Sequence, residues 1–460
     1  VAKIAIVTLD TFTDRMAGPA IRVWEMAKYL AQKHTVRALS FSEVTREGDG
    51  FELRATSVPA FREDLGTPDV VIVQGYLLQT FPWLGEQEFK LVVDLYDPLH
   101  LESLEVEKHR PLRDREFAFT HAADELARQI QVGDFFLCAS PMQRHLWLGE
   151  MVALGRVQPK VYDADPTLKR LIDYAPFGIS EQAPVPTQHA IRGKIDGITQ
   201  ASKVIIWGGG IYNWFDPLTV IRAVAQARHE IPDLHLVFMG AKHPNPDVPE
   251  MRMVGQARQL AQEIDPAGEF IHFQESWVPY EQRQNFLCDA DIGISAHFEN
   301  IETEFSFRTR ILDYLWCGLP MISTVGDFFA DRIQRADLGR TVAYEDVQGM
   351  AEAIVAMLNN PEQLQAYKNN VAKEAKNFTW SRTLQALDKF CEAPYFATDR
   401  VTENGERLVP DRANPESVVP RRTLRSLARR GLESVRGQGI RPTLRHVRAY
   451  VHKVVARWRR

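Results

Sequence analysis

Residues 299–320 read Glu299-Asn-Ile-Glu-Thr-Glu-Phe-Ser-Phe-Arg-Thr-Arg-Ile-Leu-Asp-Tyr-Leu-Trp-Cys-Gly-Leu-Pro320, and the stretch changes character at its middle. The first half is polar, with Glu299, Glu302, Glu304, Ser306 and the pair Arg308 and Arg310. From Ile311 onward the apolar residues Ile311, Leu312, Leu315 and Trp316 fall on one helical stripe. Gly318 stops that helix, and Pro320 leads into an apolar strand over 321–324. A loop entering a helix N-terminus presents unpaired backbone N–H groups and the positive end of a dipole, which suits an anion. Two arginines in the first turn oppose that dipole. A phosphate bound at the same place removes the conflict.

Outward from this stretch, short apolar runs alternate with amphipathic helices, the pattern of parallel-sheet α/β domains. Upstream, a strand over 203–207 runs into Gly208, Gly209 and Gly210, where the backbone is free to approach a phosphate closely. Helix 217–228, strands 234–239 and 270–273, a loop carrying Trp277, helix 280–288 and strand 289–295 follow. Helices 347–358, 361–377 and 380–390 close this second set. The first set opens with strand 4–8, a long loop, helix 21–32 and strand 35–40. That loop sits at the carboxyl end of its strand, where α/β proteins bind ligands. Gly18 permits close approach there, and Arg22 is a candidate anion contact. Strands 69–74, 90–95 and 134–139 and helix 116–131 continue to a hinge at 175–179 and a linker at 180–187. The expected domains are 1–185 and 195–392, then a linker at 396–417 and a basic helical tail at 418–460.

Asp313-Tyr-Leu-Trp-Cys-Gly-Leu-Pro320 with the acids ahead of it resembles the donor-site signature of retaining glycosyltransferases of family 4, which have the GT-B fold. The usual form is Glu, seven residues, a second Glu, then Ala-Met-Ala-x-Gly-x-Pro. Here the second acid is Asp313, the residue eight before it is Phe305, and Glu304 lies nine before it. The resemblance implies two Rossmann-like domains facing a cleft, with a nucleotide-sugar donor on the second and a saccharide or lipid-linked acceptor on the first. It implies that Glu302 or Glu304 contacts the sugar and that Asp313 accepts from the ribose. Ser306, Phe307 and Thr309 complete the nucleotide-contacting stretch, with Gly18, Gly209 and Gly210 near the phosphates and Trp277 beside the base. The family's His that faces the sugar aligns with Tyr96, and His100 is the substitute, the alternative being a surface or cap residue. The family's Arg and Lys after the glycines are replaced by Ile211 and Phe215-Asp216. Arg308 and Arg310 are therefore expected to have taken over the diphosphate.

Composition limits the alternatives. At 460 residues with 45% hydrophobic content the chain suffices for two cored domains. It contains no apolar run of about 18 residues, and no spanning helix is expected. The opening on a strand leads us to expect no signal peptide, and four scattered cysteines fit reduced thiols in a cytoplasmic protein. The pairs Asp163/Asp165 and Asp289/Asp291 are not in the setting a metal-dependent transferase requires, so no metal and no cofactor beyond the donor itself are expected. The net charge of −5 is uneven: residues 418–460 hold thirteen Lys and Arg against Glu433, a net of +12, which leaves −17 for the body. Leu444, Val447, Val451, Val454, Val455 and Trp458 share one helical face among those bases, which suits an anionic membrane surface on the inner side of the cell membrane. Docking on the acidic body competes with that reading, and nucleic acid is not expected. A catalytically degenerate scaffold and a nucleotide-sugar epimerase of the same fold are the other functional readings.

Overall fold

The computed structural model describes residues 1–240 and 251–408, so the basic tail at 418–460 lies outside the described residues. Thirteen strands among them form two wholly parallel sheets. The first holds β1 (Lys3–Thr8), β2 (Thr35–Ser40), β3 (Glu52–Ala55), β4 (Val70–Val73), β5 (Lys90–Asp94), β6 (Phe135–Cys138) and β7 (Ile172–Tyr174) in the order 3-2-1-4-5-6-7. The second holds β8 (Lys203–Trp207), β9 (Leu234–Phe238), β10 (Ile271–Phe273), β11 (Ile292–Ser295), β12 (Met321–Thr324) and β13 (Gly339–Val342) in the order 10-9-8-11-12-13. Every residue of β4, β6, β9, β11 and β12 is buried, as expected for parallel strands covered by helices on both faces. Strand order reverses between β1 and β4 and again between β8 and β11. At such points the flanking connections diverge and leave a crevice beyond the carboxyl ends of the strands.

The predicted helix after residue 311 spans Thr309–Trp316 and buries Ile311, Leu312, Tyr314 and Leu315. Tyr314 lies flat against β11 at Gly293, where a Cβ would stand 2.6 Å from the ring, so only glycine fits. The polar half of the stretch is not an open loop. Asn300 accepts from the Thr303 N–H at 3.0 Å and caps a single helical turn, Ile301–Phe305.

The chain crosses between the domains twice, and the crossings pair. Ile179 donates its N–H to Phe378 O (2.8 Å) and accepts from Trp380 N–H (3.0 Å). Beyond this point the expected boundaries require correction. Helix Gln385–Glu392 lies against the first domain, with Phe390 stacked on Phe135 at 4.7 Å and Lys33 bridging Asp388 at 2.7 Å. The described part of the expected linker, 396–408, is also docked there through Arg156–Asp399 and Arg407–Asp134 ion pairs. Asp399 and Arg407 there are ion-paired, while residues 403–406 between them are exposed.

Candidate active site

The second domain brings three strand ends together. Beyond β8, Gly209 takes φ +75°, and a Cβ there would meet nothing within 4 Å, so the backbone faces open space. Both neighbours are braced from below. Gly208 donates its N–H to the Tyr314 hydroxyl at 2.9 Å, and Gly210 O accepts from Arg310 Nη2 at 2.8 Å. The Arg310 guanidinium is buried against Trp207 and Phe215, 4.3 and 3.9 Å from their ring centroids. Burial pulls its pKa down to about 10, so it stays charged at neutral pH. Its Nη1 is buried with no partner.

Arg308 is the N-cap residue of helix Thr309–Trp316, and both of its Nη atoms donate to Glu302, at 2.9 and 2.7 Å. Arg308 and Glu302 are both buried. Arg308 Nε lies 4.0 Å from Asp327 Oδ2, at the carboxyl end of β12. Asp327 caps helix Phe328–Ala336 through its other oxygen, and burial raises its pKa to about 6 against the pull of Arg308. At the end of β11, burial and then Arg308 drive the His297 pKa down to about 3, which keeps that ring neutral.

The first domain opposes this basic group with acids. Glu102, on helix Leu99–Val106, shares a hydrogen bond with Asp97, and burial followed by their mutual repulsion raises Glu102 far above the carboxylate range. Asp97 is raised as well, by burial first, and both feel Glu302 and Arg308 across the cleft. Tyr212, from the loop after β8, feels Glu102, Asp10 and Asp97 and stacks on Trp214 at 4.9 Å.

The other expected site residues are distributed unevenly. Gly18 begins helix Gly18–Leu30 with open space at its Cβ position. Ser306 Oγ donates to Thr303 O, Phe307 packs on Phe328 and Phe329, Thr309 starts its helix, and Glu304 is exposed. Asp313 accepts from Arg283 Nε at 3.0 Å. Trp277 lies against Gly240 and donates Nε1 to Met16 O at 3.1 Å, so its polar edge ties the two domains together. His100 turns inward: Nε2 stands 3.1 Å from Glu150 Oε1, and the ring lies against Trp147. Arg22, expected near an anion, is fully buried on Asp94 (2.6 and 2.8 Å) and Ala175 O, because β5 delivers a carboxylate to its tip. Three of the four aspartates in the Asp-x-Asp pairs hold the backbone, and Asp163 is exposed. Asp165 holds the backbone at Thr167 and Arg170, Asp289 at Ile191 and Arg192, and Asp291 at Val204.

Sequence reading missed Glu102, Asp327, His297, Tyr212 and Tyr314. Asp327 and His297 had a usable signal, since they stand three and two residues beyond the apolar strands β12 and β11, in a fold whose ligands sit at strand ends.

Comparison with solved structures supplies the fold's relatives. Sucrose-phosphate synthase from Thermosynechococcus elongatus superposes with a TM-score of 0.61 at 14% identity, covering 85% of this chain and 99% of its own. HepE (Alr3699) of Anabaena, solved with UDP and glucose, gives 0.62 at 12%, with 85% and 100% covered. WaaG, a glycosyltransferase involved in lipopolysaccharide biosynthesis, gives 0.58 at 15%, with 84% and 99% covered. The architecture is GT-B. Within it, residues 202–360 match the family model described as glycosyl transferases group 1. That segment is the GT-B half bearing the glycine loop, Glu302, Arg308, Arg310 and Asp327. Comparison with curated protein sequences gives no match.

Proposed function

We propose that this protein is a metal-independent, retaining glycosyltransferase of family 4 that moves a sugar from a nucleoside-diphosphate donor to a saccharide or lipid-linked acceptor in cell-envelope polysaccharide synthesis. One observation carries the reading: a glycine loop open at Gly209, braced by Arg310 and Tyr314, beside a buried Arg308–Glu302 pair, all inside the segment that matches group 1 glycosyl transferases. HepE, of the same fold, was solved with UDP and glucose. The diphosphate lies over Gly209 and Gly210 at the N-terminus of helix Thr309–Trp316. Arg310 Nη1 and the first-turn N–H groups oppose charge that grows on the leaving phosphate. Arg308 acts mainly by holding Glu302 in place beside the sugar. The leaving diphosphate takes the acceptor proton on the same face. Asp313 and Trp277 border the nucleoside, and the tail at 418–460 holds the protein peripherally on the inner face of the membrane.

A scaffold reading has one observation in its favour, since the two arginines offered for the diphosphate already have internal partners. Release of nucleoside diphosphate from a panel of UDP-, GDP- and dTDP-sugars separates the two. Turnover that survives EDTA and yields a product with the donor's anomeric configuration supports the transferase; no release from any donor supports the scaffold.

A further inference from the structure

Helix Leu112–Val132 buries side chains only from Ala122 onward. Its first ten residues stand out of the first domain, with Leu112 at 65% exposure and Phe117 at 52%. Exposed aromatic area of this kind is unusual on a helix unless something covers it. Here the rings are ordered. Phe117 and His121 lie one helical turn apart with planes within 2° and centroids at 6.2 Å. Tyr76, from the loop after β4, continues the series at 5.2 Å and 5° from His121. Parallel planes at such spacings are offset stacks, so the three rings form a stepped series whose outer member, Phe117, is half exposed.

The steps are built into the fold. Gly75 takes φ +74°, the left-handed turn that precedes Tyr76. Fully buried Glu125 then accepts the N–H groups of Leu77, Leu78 and Gln79 at 2.7–3.0 Å. Gln129 donates to Gly75 O at 2.6 Å, and Gln79 donates to His121 O at 2.8 Å. A buried carboxylate holding three backbone donors fixes the loop, and with it Tyr76, against the helix.

The inner step lies beside the cleft, because Tyr76 and Asp97 each follow by three residues the carboxyl end of one of two adjacent strands, β4 and β5. We infer that the Tyr76–His121–Phe117 steps are an extended acceptor subsite, which takes the second and later sugar rings of a saccharide whose reacting ring lies at Asp97 and Glu102. This inference rests on the transferase reading for the reacting end only. Sugar rings offer apolar C–H faces to aromatic faces and hydroxyl edges to carboxyl groups, and both complements are present in line. Charge argues against an anionic membrane as the occupant. Residues 105–116 carry four acidic and four basic side chains, and Lys108 and Arg110 are ion-paired to Glu105 and Glu107.

Binding of the full-length protein to an array of bacterial-type oligosaccharides of one to six units tests this. The wild type is expected to bind glycans of two or more units. Phe117→Ala and His121→Ala should weaken that binding about tenfold, equivalent to about 1.4 kcal/mol. Phe117→Tyr should restore it, and unchanged circular-dichroism melting shows that the variants fold. Binding of no oligosaccharide by the wild type, or equal binding by the alanine variants, overturns the assignment. So does a Phe117-dependent retention on phosphatidylglycerol vesicles or a Phe117-dependent dimer in sedimentation. Nucleotide-sugar hydrolysis by the wild type is read separately. Hydrolysis with Phe117-independent glycan binding removes the subsite alone, and Phe117-dependent glycan binding without hydrolysis removes the transferase alone.

Discussion

The two walls of the cleft are built on opposite plans. On the second domain the charged groups interlock: Arg308 holds Glu302, Arg310 holds Gly210 O, Tyr314 holds Gly208, and Asp327 caps a helix. On the first domain the acids Asp97 and Glu102 lean on each other through a hydrogen bond, and beyond them the rings of Phe117 and His121 are exposed. The first plan fixes dipoles and charges in advance, which suits a diphosphate of constant shape. The second leaves hydrogen-bonding capacity and apolar area open, which suits an acceptor of variable length.

Substitutions that separate the plans should differ in cost. The largest loss is expected for Arg308→Ala, which strands Glu302 as a buried, unpaired charge. Denaturant unfolding should show a loss of about 3–5 kcal/mol. Tyr314→Phe removes the hydroxyl that accepts from Gly208 and should cost about 1–3 kcal/mol by the same assay. It should also weaken binding of nucleoside diphosphate, because the glycine loop loses its brace.

Asp327 gives a pH test. A carboxyl raised to about 6 binds its proton more tightly in the fold than in the unfolded chain. Its contribution is present below about pH 4 and lost as pH rises through about 6. Asp327→Asn keeps the cap and removes the titration, so the wild type should lose roughly 1–2 kcal/mol more than the variant between pH 4.5 and 7. Equal slopes would place the raised carboxyl elsewhere. The smallest effect is expected for Phe117→Ala, within about 0.5 kcal/mol of wild-type stability, because half-exposed rings add little to the core.

The same contrast governs what could be read beforehand. Strands β9, β11 and β12 of the second domain are fully buried, largely apolar runs, and the stripe Ile311–Leu315 with Gly318 behind it marks its helix without tertiary information. Strand β3 is mostly exposed and β13 half-polar, so neither has an apolar signature. The glycine loop was legible because glycine reports on its own backbone. The partners of Arg22 and Arg308 were not, because the phosphate reading rested on helix-dipole chemistry and each carboxylate arrives from a separate element. The same holds for Tyr76 and His121, which lie 45 positions apart and meet only because Glu125 draws the loop onto the helix.

A nucleoside diphosphate seated over the glycine loop at the mouth of helix Thr309–Trp316 would shield the backbone there. Hydrogen–deuterium exchange of the full chain with UDP-, GDP- and dTDP-sugars reads it directly. Slowed exchange concentrated at 208–212 and 306–312 with at least one donor is the predicted result; unchanged exchange there with every donor would contradict it.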